Sequence, residues 1–343
     1  MRAPKWWRLM RRRIRLRTRR QYLLGRAIRR SGRLNPVMDR TDQIRPDSLL
    51  AFVALRNEAV RLPYFLDYYR AMGITHFLIV DNDSDDGSRE YLLAQDDVSL
   101  WTTCAGYKAS RFGMDWLSYL LFRYGPDHWC LTVDPDEFLV FPHDDTRPLR
   151  ALTDWMDASG MRALPAMLLD MYPRGGVTER RYIAGEDPFG ILRWFDAANY
   201  AIRLDNEHGN LWIQGGPRAR MFFPNAPERA PSLNKIPLVK WERSYVYVSS
   251  THMLLPRAVN LVYDRNGGER ISGILLHAKF LSTFAEKAVE ELDRRQHYNN
   301  SVEYKAYHSV ISRDHDMWTE ESVAYEDWRQ LERLGLISRG HWI

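Results

Sequence analysis

Three carboxylates fall within four positions at Asp134-Pro135-Asp136-Glu137, directly after the apolar run Trp129-Cys130-Leu131-Thr132-Val133. Carboxylates this close repel one another and lose hydration as they near a core, so a positive partner is needed. A divalent cation with oxygen ligands supplies that charge, and Mg²⁺ or Mn²⁺ on Asp134 and Asp136 would bridge phosphate oxygens of a ligand. Pro135 has a fixed φ and no N–H, so the strand must break between the aspartates before Phe138-Leu139-Val140-Phe141 resumes it. The competing reading is an acidic turn between two strands, a common use of Asp and Pro.

Elements upstream must bring partners to this cluster. Leu49–Leu55 is a continuous apolar run of the buried, parallel-sheet kind, ended by Arg56-Asn57-Glu58. Leu62, Phe65, Leu66 and Tyr69 recur at helical spacing, with Pro63 in the first turn and Gly73 as a stop. His76–Val80 predicts a second strand, running into Asp81-Asn82-Asp83-Ser84-Asp85-Asp86-Gly87-Ser88. A helix through Tyr91–Leu93, a strand at Val98–Trp101 and a helix carrying Trp116, Tyr119, Leu120 and Arg123 lead to the strand at Trp129. This alternation predicts a doubly wound, mostly parallel α/β sheet with right-handed crossovers. Its polar strand ends share one edge, where open α/β sheets bind ligands. Asp83, Asp85 and Asp86 are expected as turn and cap residues there.

The second half is less regular. Leu149–Met156 predicts a short helix, Met161–Leu169 a strand ending at Asp170, and residues 173–190 a long loop or lid. Gly215-Gly216-Pro217 predicts a turn, and Leu233–Trp241 and Tyr245–Ser249 extended segments. Ile274–Phe280 is apolar except for His277 and Lys279. From Ser282 the pattern is helical, through Phe284, Ala288 and Leu292 and later Trp328, Leu331 and Leu334, with Gly335 as a stop. The expected divisions are an arm and linker over 1–45, a body over 46–281 and a helical C-terminal extension over 282–343.

The net charge of +5 conceals an asymmetry: residues 1–33 hold 14 Lys and Arg and no acid, leaving 35 basic against 44 acidic residues elsewhere. Trp6, Trp7, Leu9, Met10, Ile14 and Leu16 are threaded among the arginines. That mixture suits a segment lying on an anionic membrane surface. Non-specific nucleic-acid binding and a solvated, disordered tail are the competing readings. No apolar run approaches the roughly 18 residues a membrane span requires, and no signal-peptide core is visible. Two cysteines, Cys104 and Cys130, imply a reducing compartment, hence the cytoplasm with the arm at the inner membrane face.

Neither GxxxxGK[ST] nor GxGxxG after a strand occurs, so side chains and metal must meet any phosphate charge. Candidates are Arg111, Arg218, Arg220, Lys235, His277 and Lys279, while Asp81 or Asn82 could meet a ribose or base edge. A general base, if the chemistry needs one, would be Asp170 or Glu242, the latter following Lys240-Trp241 in a polar-aromatic stretch.

Arg56-Asn57-Glu58, Asp81-Asn82-x-Ser84-x-Asp86-Gly87-Ser88 and Asp134-Pro135-Asp136-Glu137-Phe138, each after a strand, together resemble a family-2 glycosyltransferase of the GT-A fold. The likeness is to the bacterial branch related to the family-92 enzymes, over roughly residues 48–290. It implies that Asp134-x-Asp136 binds the metal and the sugar-nucleotide diphosphate, and that Arg56, Asn57, Glu58, Asp81 and Asn82 lie at the donor. It also implies that His277 completes the metal or diphosphate site, and that transfer inverts the anomeric carbon. Two departures stand out: Asn82 replaces a second aspartate, and Ala278 replaces the aromatic that usually follows the histidine. Without the resemblance, His277 on an apolar stretch reads as a hydrogen-bonded core residue. One rival function is a metal-dependent phosphohydrolase with Asp134 as nucleophile, as in haloacid-dehalogenase phosphatases. Glu137-Phe138 stands where that chemistry wants a small residue, and the Asp81 cluster is left unexplained. A non-catalytic membrane adaptor working through the arm is the other.

Overall fold

In the computed structural model, which describes residues 5–263, 270–284 and 316–342, the run Leu49–Leu55 lies near the middle of a nine-stranded sheet. In chain order the strands are β1 (Asn35–Met38), β2 (Leu49–Leu55), β3 (His76–Asp81), β4 (Val98–Thr102), β5 (Trp129–Thr132), β6 (Glu137–Val140) and β7 (Ala163–Asp170). There follow β8 (Trp194–Asp196), β9 (Ala201–Asp205), β10 (Asn210–Gln214), β11 (Asn234–Lys240), β12 (Val246–Ser249), β13 (Met253–Leu255), β14 (Gly273–His277) and β15 (Ser322–Ala324). The large sheet has the order β1-β4-β3-β2-β5-β11-β7-β14-β6. β2, β3, β4 and β5 are mutually parallel, and β7 and β14 run the same way. β1, β6 and β11 run against them, so the sheet is mixed but mostly parallel.

Alternation within the strands sends side chains to two cores. Leu49, Ala51, Val53 and Leu55 face one core with Phe77 and Ile79. Helix α2 (Leu62–Met72) covers it with Leu62, Phe65, Leu66 and Tyr69, and Gly73 (φ 107°) ends the helix in the left-handed region. Leu92 of α3 (Ser88–Leu93) joins the same side. Leu50, Phe52, Leu78, Val80 and Cys130 face the other core, covered by Trp116, Leu117, Leu120 and Leu121 of α4 (Met114–Tyr124). Helices on both faces are the doubly wound arrangement the alternation predicts. Helix α5 (Leu149–Ala158) and β7 also fall where their apolar patterns place them.

Three segments differ from expectation. Asn35–Met38, within the stretch expected as arm and linker, is the edge strand β1, where Pro36 without a donor is tolerated. Gly215-Gly216-Pro217 opens a helix, α6 (Gly216–Phe222), with Pro217 in its first turn. The basic arm is a helix, α1 (Lys5–Arg30), not a solvated tail. Leu16 and Leu23 pack on Val246, Val248, Met253 and Leu255 of the β12–β13 hairpin. Its far end is clamped electrostatically, because buried Asp115 accepts Arg26 Nε at 2.8 and 3.1 Å and lies 3.3 Å from Arg30. The C-terminal stretch ends in α7 (Trp328–Arg333), and Gly335 (φ 71°) follows as the expected stop. Ala288 and Leu292 lie outside the described residues. Among the described residues no helix is long and apolar enough to cross a membrane.

Candidate active site

β5 ends at Thr132, Pro135 breaks the strand, and Glu137 starts β6 on the far side of the sheet. The turn is closed by the Glu137 N–H donating to the Asp134 carbonyl at 3.0 Å. Glu137 is buried, and its carboxylate accepts Lys235 Nζ at 2.7 Å and the Asp134 N–H at 3.3 Å. Lys235, delivered by β11 between β5 and β7, also lies 3.8 Å from Asp134. Asp134 itself keeps 47% of its side chain exposed. Crowding by protein on its other side, and then the charge of Glu137, push its carboxyl up to about 7 against the pull of Lys235.

A chain of charged groups links the ends of β7 and β14 to the turn. Register sets His277 beside Asp170 on one side and beside Glu137 on the other. His277 Nδ1 is 2.6 Å from Asp170, His277 Nε2 is 3.3 Å from Asp136, and Arg218 Nε donates to Asp170 at 2.6 Å. The Ala278 N–H donates to the Asp136 carbonyl at 2.7 Å and ties the two segments together. Burial disfavours the imidazolium, but Asp136 and Asp170 together raise His277. Burial likewise opposes ionisation of Asp136, and His277, Arg61 and Lys279 overcome it, holding that carboxyl well below its ordinary range. Asp170 is lowered in the same way, burial being outweighed by Arg218 and His277.

This geometry reassigns Asp170. Both of its oxygens are engaged and it is almost fully buried, so it orients His277 and is not presented to a substrate hydroxyl as a base. Glu242 lies beyond the end of β11 that pairs with Trp129, the edge of the sheet opposite Asp134. The structure therefore does not bring it to the site. Arg111 is also elsewhere: its guanidinium donates to the Tyr247 and Val248 carbonyls at 2.7 and 2.8 Å and approaches Asp115 at 3.4 Å. Arg220 is bound to Asp196 through two nitrogens.

The first two strand ends form one interlocked pair of loops. The Asn57 N–H donates to Ser84, the Glu58 N–H to Ser88 and the Ala59 N–H to Asp86, all within 2.8–2.9 Å. Asn57 (φ 52°) accepts the Asp85 N–H, and Arg56 donates to the Asn82 carbonyl at 2.9 Å. Asp81 is buried, capped by Ser84 and paired with Arg89 at 3.0 Å. Asn82 donates to the Thr103 and Ala105 carbonyls. The residues expected at the donor thus shape the two loops through hydrogen bonds to one another.

Sequence reading missed Arg61. It is buried, its Nη1 donates to Glu58 at 2.9 Å, and its charge bears on Asp136. The available signal was its spacing, three residues after Glu58 at the start of a helix.

Among the described residues no group of three His, Cys, Asp or Glu converges to hold a metal by itself. Mg²⁺ and Mn²⁺ sites that share the ion with phosphates need only one or two carboxylates besides water, and Asp134 and Asp136 are two that could serve. Asp134 keeps 47% of its side chain exposed beside Asp136, so two carboxylates are open to a shared cation. His277 could join it only by releasing the Nε2 proton.

No family model matches the sequence, and no curated protein matches it at significance. Among solved structures, a putative glucose-1-phosphate thymidylyltransferase from Bacillus anthracis, crystallised with sucrose, is similar at 11% identity and a TM-score of 0.28. The match covers 78% of this chain and 84% of that one.

Proposed function

We propose that the chain is a metal-dependent glycosyltransferase. It takes a nucleotide-sugar, a UDP-sugar by preference, and transfers the sugar with inversion to a hydroxyl of a glycan or glycolipid. The observation that carries this reading is the Asp136–His277–Asp170–Arg218 chain beside Asp134 and Lys235, at the sheet edge where the Asp81 loop also ends. A bound Mg²⁺ or Mn²⁺ would stabilise the diphosphate charge that develops as the sugar leaves. Asp134 and Asp136 would hold it, and Asp170 with Arg218 fixes the His277 ring. Lys235, Arg61 and Lys279 add positive charge around the leaving diphosphate, and the Arg56–Glu58 and Asp81–Ser88 loops receive the nucleoside. Residues 46–281 together with the edge strand β1 form the transfer domain, with α1 and residues 282–343 as additions to it.

The exposed Trp6, Trp7, Met10 and Ile14, on a helix without an acidic residue, support α1 as a contact with an anionic membrane surface at the cytoplasmic face. Flotation with vesicles of one-third phosphatidylserine tests this: substituting Arg8, Arg11 and Arg13 abolishes co-flotation, and unchanged binding refutes it. Turnover is tested with UDP-sugars, GDP-sugars and a phosphate ester, each with Mn²⁺ and with chelator. Metal-dependent release of UDP or GDP is the expected result. Release of inorganic phosphate would support a phosphohydrolase with Asp134 as nucleophile, and neither turnover nor nucleotide binding would support a non-catalytic adaptor.

A further inference from the structure

β6 is an edge strand, and beside it lies a cavity of about 740 Å³. Its walls come from α2, the segment after β6, the turn at Pro188–Gly190 and residues 325–328. Val140 and Leu276, on this wall, alternate with Glu137 and His277 along β6 and β14, so their side chains leave the opposite face of the sheet. The cavity therefore lies on the other face of the sheet from Glu137 and His277, and its volume is within the range of roughly 300–1,000 Å³ typical of small-molecule sites.

Four half-buried rings, Tyr64, Tyr68, Phe189 and Tyr325, line the cavity. Tyr64 and Tyr68 lie with centroids 6.0 Å apart. The polar lining is acidic: Asp144, Asp145, Asp187, Glu326 and Asp327 face a single cation, Arg147. Asp145 and Asp327 are engaged by Arg329 at 2.7 and 3.2 Å, and Asp187 accepts the Phe189 N–H. Asp144 has no cation paired with it among the described residues. Burial, then the neighbouring Asp145, push its carboxyl up to about 7, so near neutrality it can either donate or accept a hydrogen bond.

We infer that this cavity is a saccharide-binding site for sugar units that carry no acidic group. Aromatic faces offer the C–H face of a pyranose an apolar wall while carboxylates accept its hydroxyls. The acidic lining repels a diphosphate or a uronate, which excludes the nucleotide-sugar and separates this site from the donor edge. A neutral sugar and an amino sugar share the required chemistry, and the amino sugar gains from its ammonium group. That the saccharide is part of the acceptor rests on the transferase reading; its binding does not.

The test is calorimetric titration of the full chain, without nucleotide or metal. The probes are the β-1,4-linked tetramers of glucose and glucosamine, tetragalacturonate and tetramethylammonium. At least one of the first two binds, and tetragalacturonate binds more weakly by at least about tenfold. Tyr325→Ala and Asp144→Ala each weaken binding by about tenfold, whereas Tyr325→Phe keeps it, which guards against a folding defect in the Tyr325 alanine variant. Asp136→Ala leaves saccharide affinity unchanged, so loss of turnover and loss of this site are read separately. Absence of binding by both non-acidic tetramers overturns the inference, as does equal affinity for tetragalacturonate, binding of tetramethylammonium alone, or unchanged affinity in both cavity variants.

Discussion

The candidate site has two halves built on opposite principles. At the ends of β2 and β3, serines, an asparagine and loop N–H groups satisfy one another across two adjacent loops, and Asp81 has its own arginine at 3.0 Å. At the ends of β5, β7 and β14, charged groups from distant segments meet in a buried chain, and Asp134 is left with its carboxyl raised to about 7. The first half is a finished scaffold. The second holds opposed charges whose balance a bound cation or diphosphate would change. Breaking the first should therefore loosen a loop, and breaking the second should remove both stability and chemistry.

The largest effect is expected at His277. Its removal by His277→Ala leaves Asp136 and Asp170 facing a void without their shared cation, a cost on the order of 3–5 kcal/mol. Denaturant unfolding should show that loss, and turnover should disappear. Lys235→Met should cost a similar amount, since Glu137 and Asp134 then confront one another without the ammonium. The opposite sign is expected for Asp134→Asn: removing one of the crowded carboxylates should raise the metal-free melting temperature while abolishing metal-dependent turnover. A fall in melting temperature would contradict the charge imbalance proposed there.

Smaller effects belong to the scaffold half. Ser84→Ala removes the hydroxyl that accepts the Asn57 N–H and caps Asp81, at a cost of about 1–2 kcal/mol. Its kinetic signature should be a raised donor KM with little change in kcat. Glu242→Gln, at the opposite edge of the sheet, should change neither turnover nor stability by more than about 0.5 kcal/mol. A large loss of turnover there would mean that the positions assigned to the two sheet edges are wrong.

The same division explains what could be read in the sequence. β2, β3, β4, α2 and α3 carry their own signals: apolar runs, a 3.6-residue stripe, and Gly73 as a stop. The turn chemistry of Asp81–Ser88 is equally local. The insertion of antiparallel β11 between β5 and β7 is not, because strand order is set by packing of segments 67 to 111 residues apart. Lys235 was therefore visible as a cation but not as the partner of Glu137. Asp170 was recognisable as a carboxylate at a strand end. Its pairing with His277 and Arg218, which takes it out of contention as a base, follows only from register. The arm illustrates a third case: its composition announced charge and apolar content, while its docking on the β12–β13 hairpin depends on Leu16 and Leu23 falling on one helical face, seven residues apart.

In the proposed reaction Asp134 and Asp136 join a divalent cation to a nucleoside diphosphate. Calorimetric titration of UDP into the full chain, with Mn²⁺ and then with excess chelator, tests it most directly. The prediction is at least about tenfold tighter UDP binding with Mn²⁺, with that gain absent in Asp136→Ala. Equal affinity with and without the metal, or an undiminished gain in the variant, would contradict it.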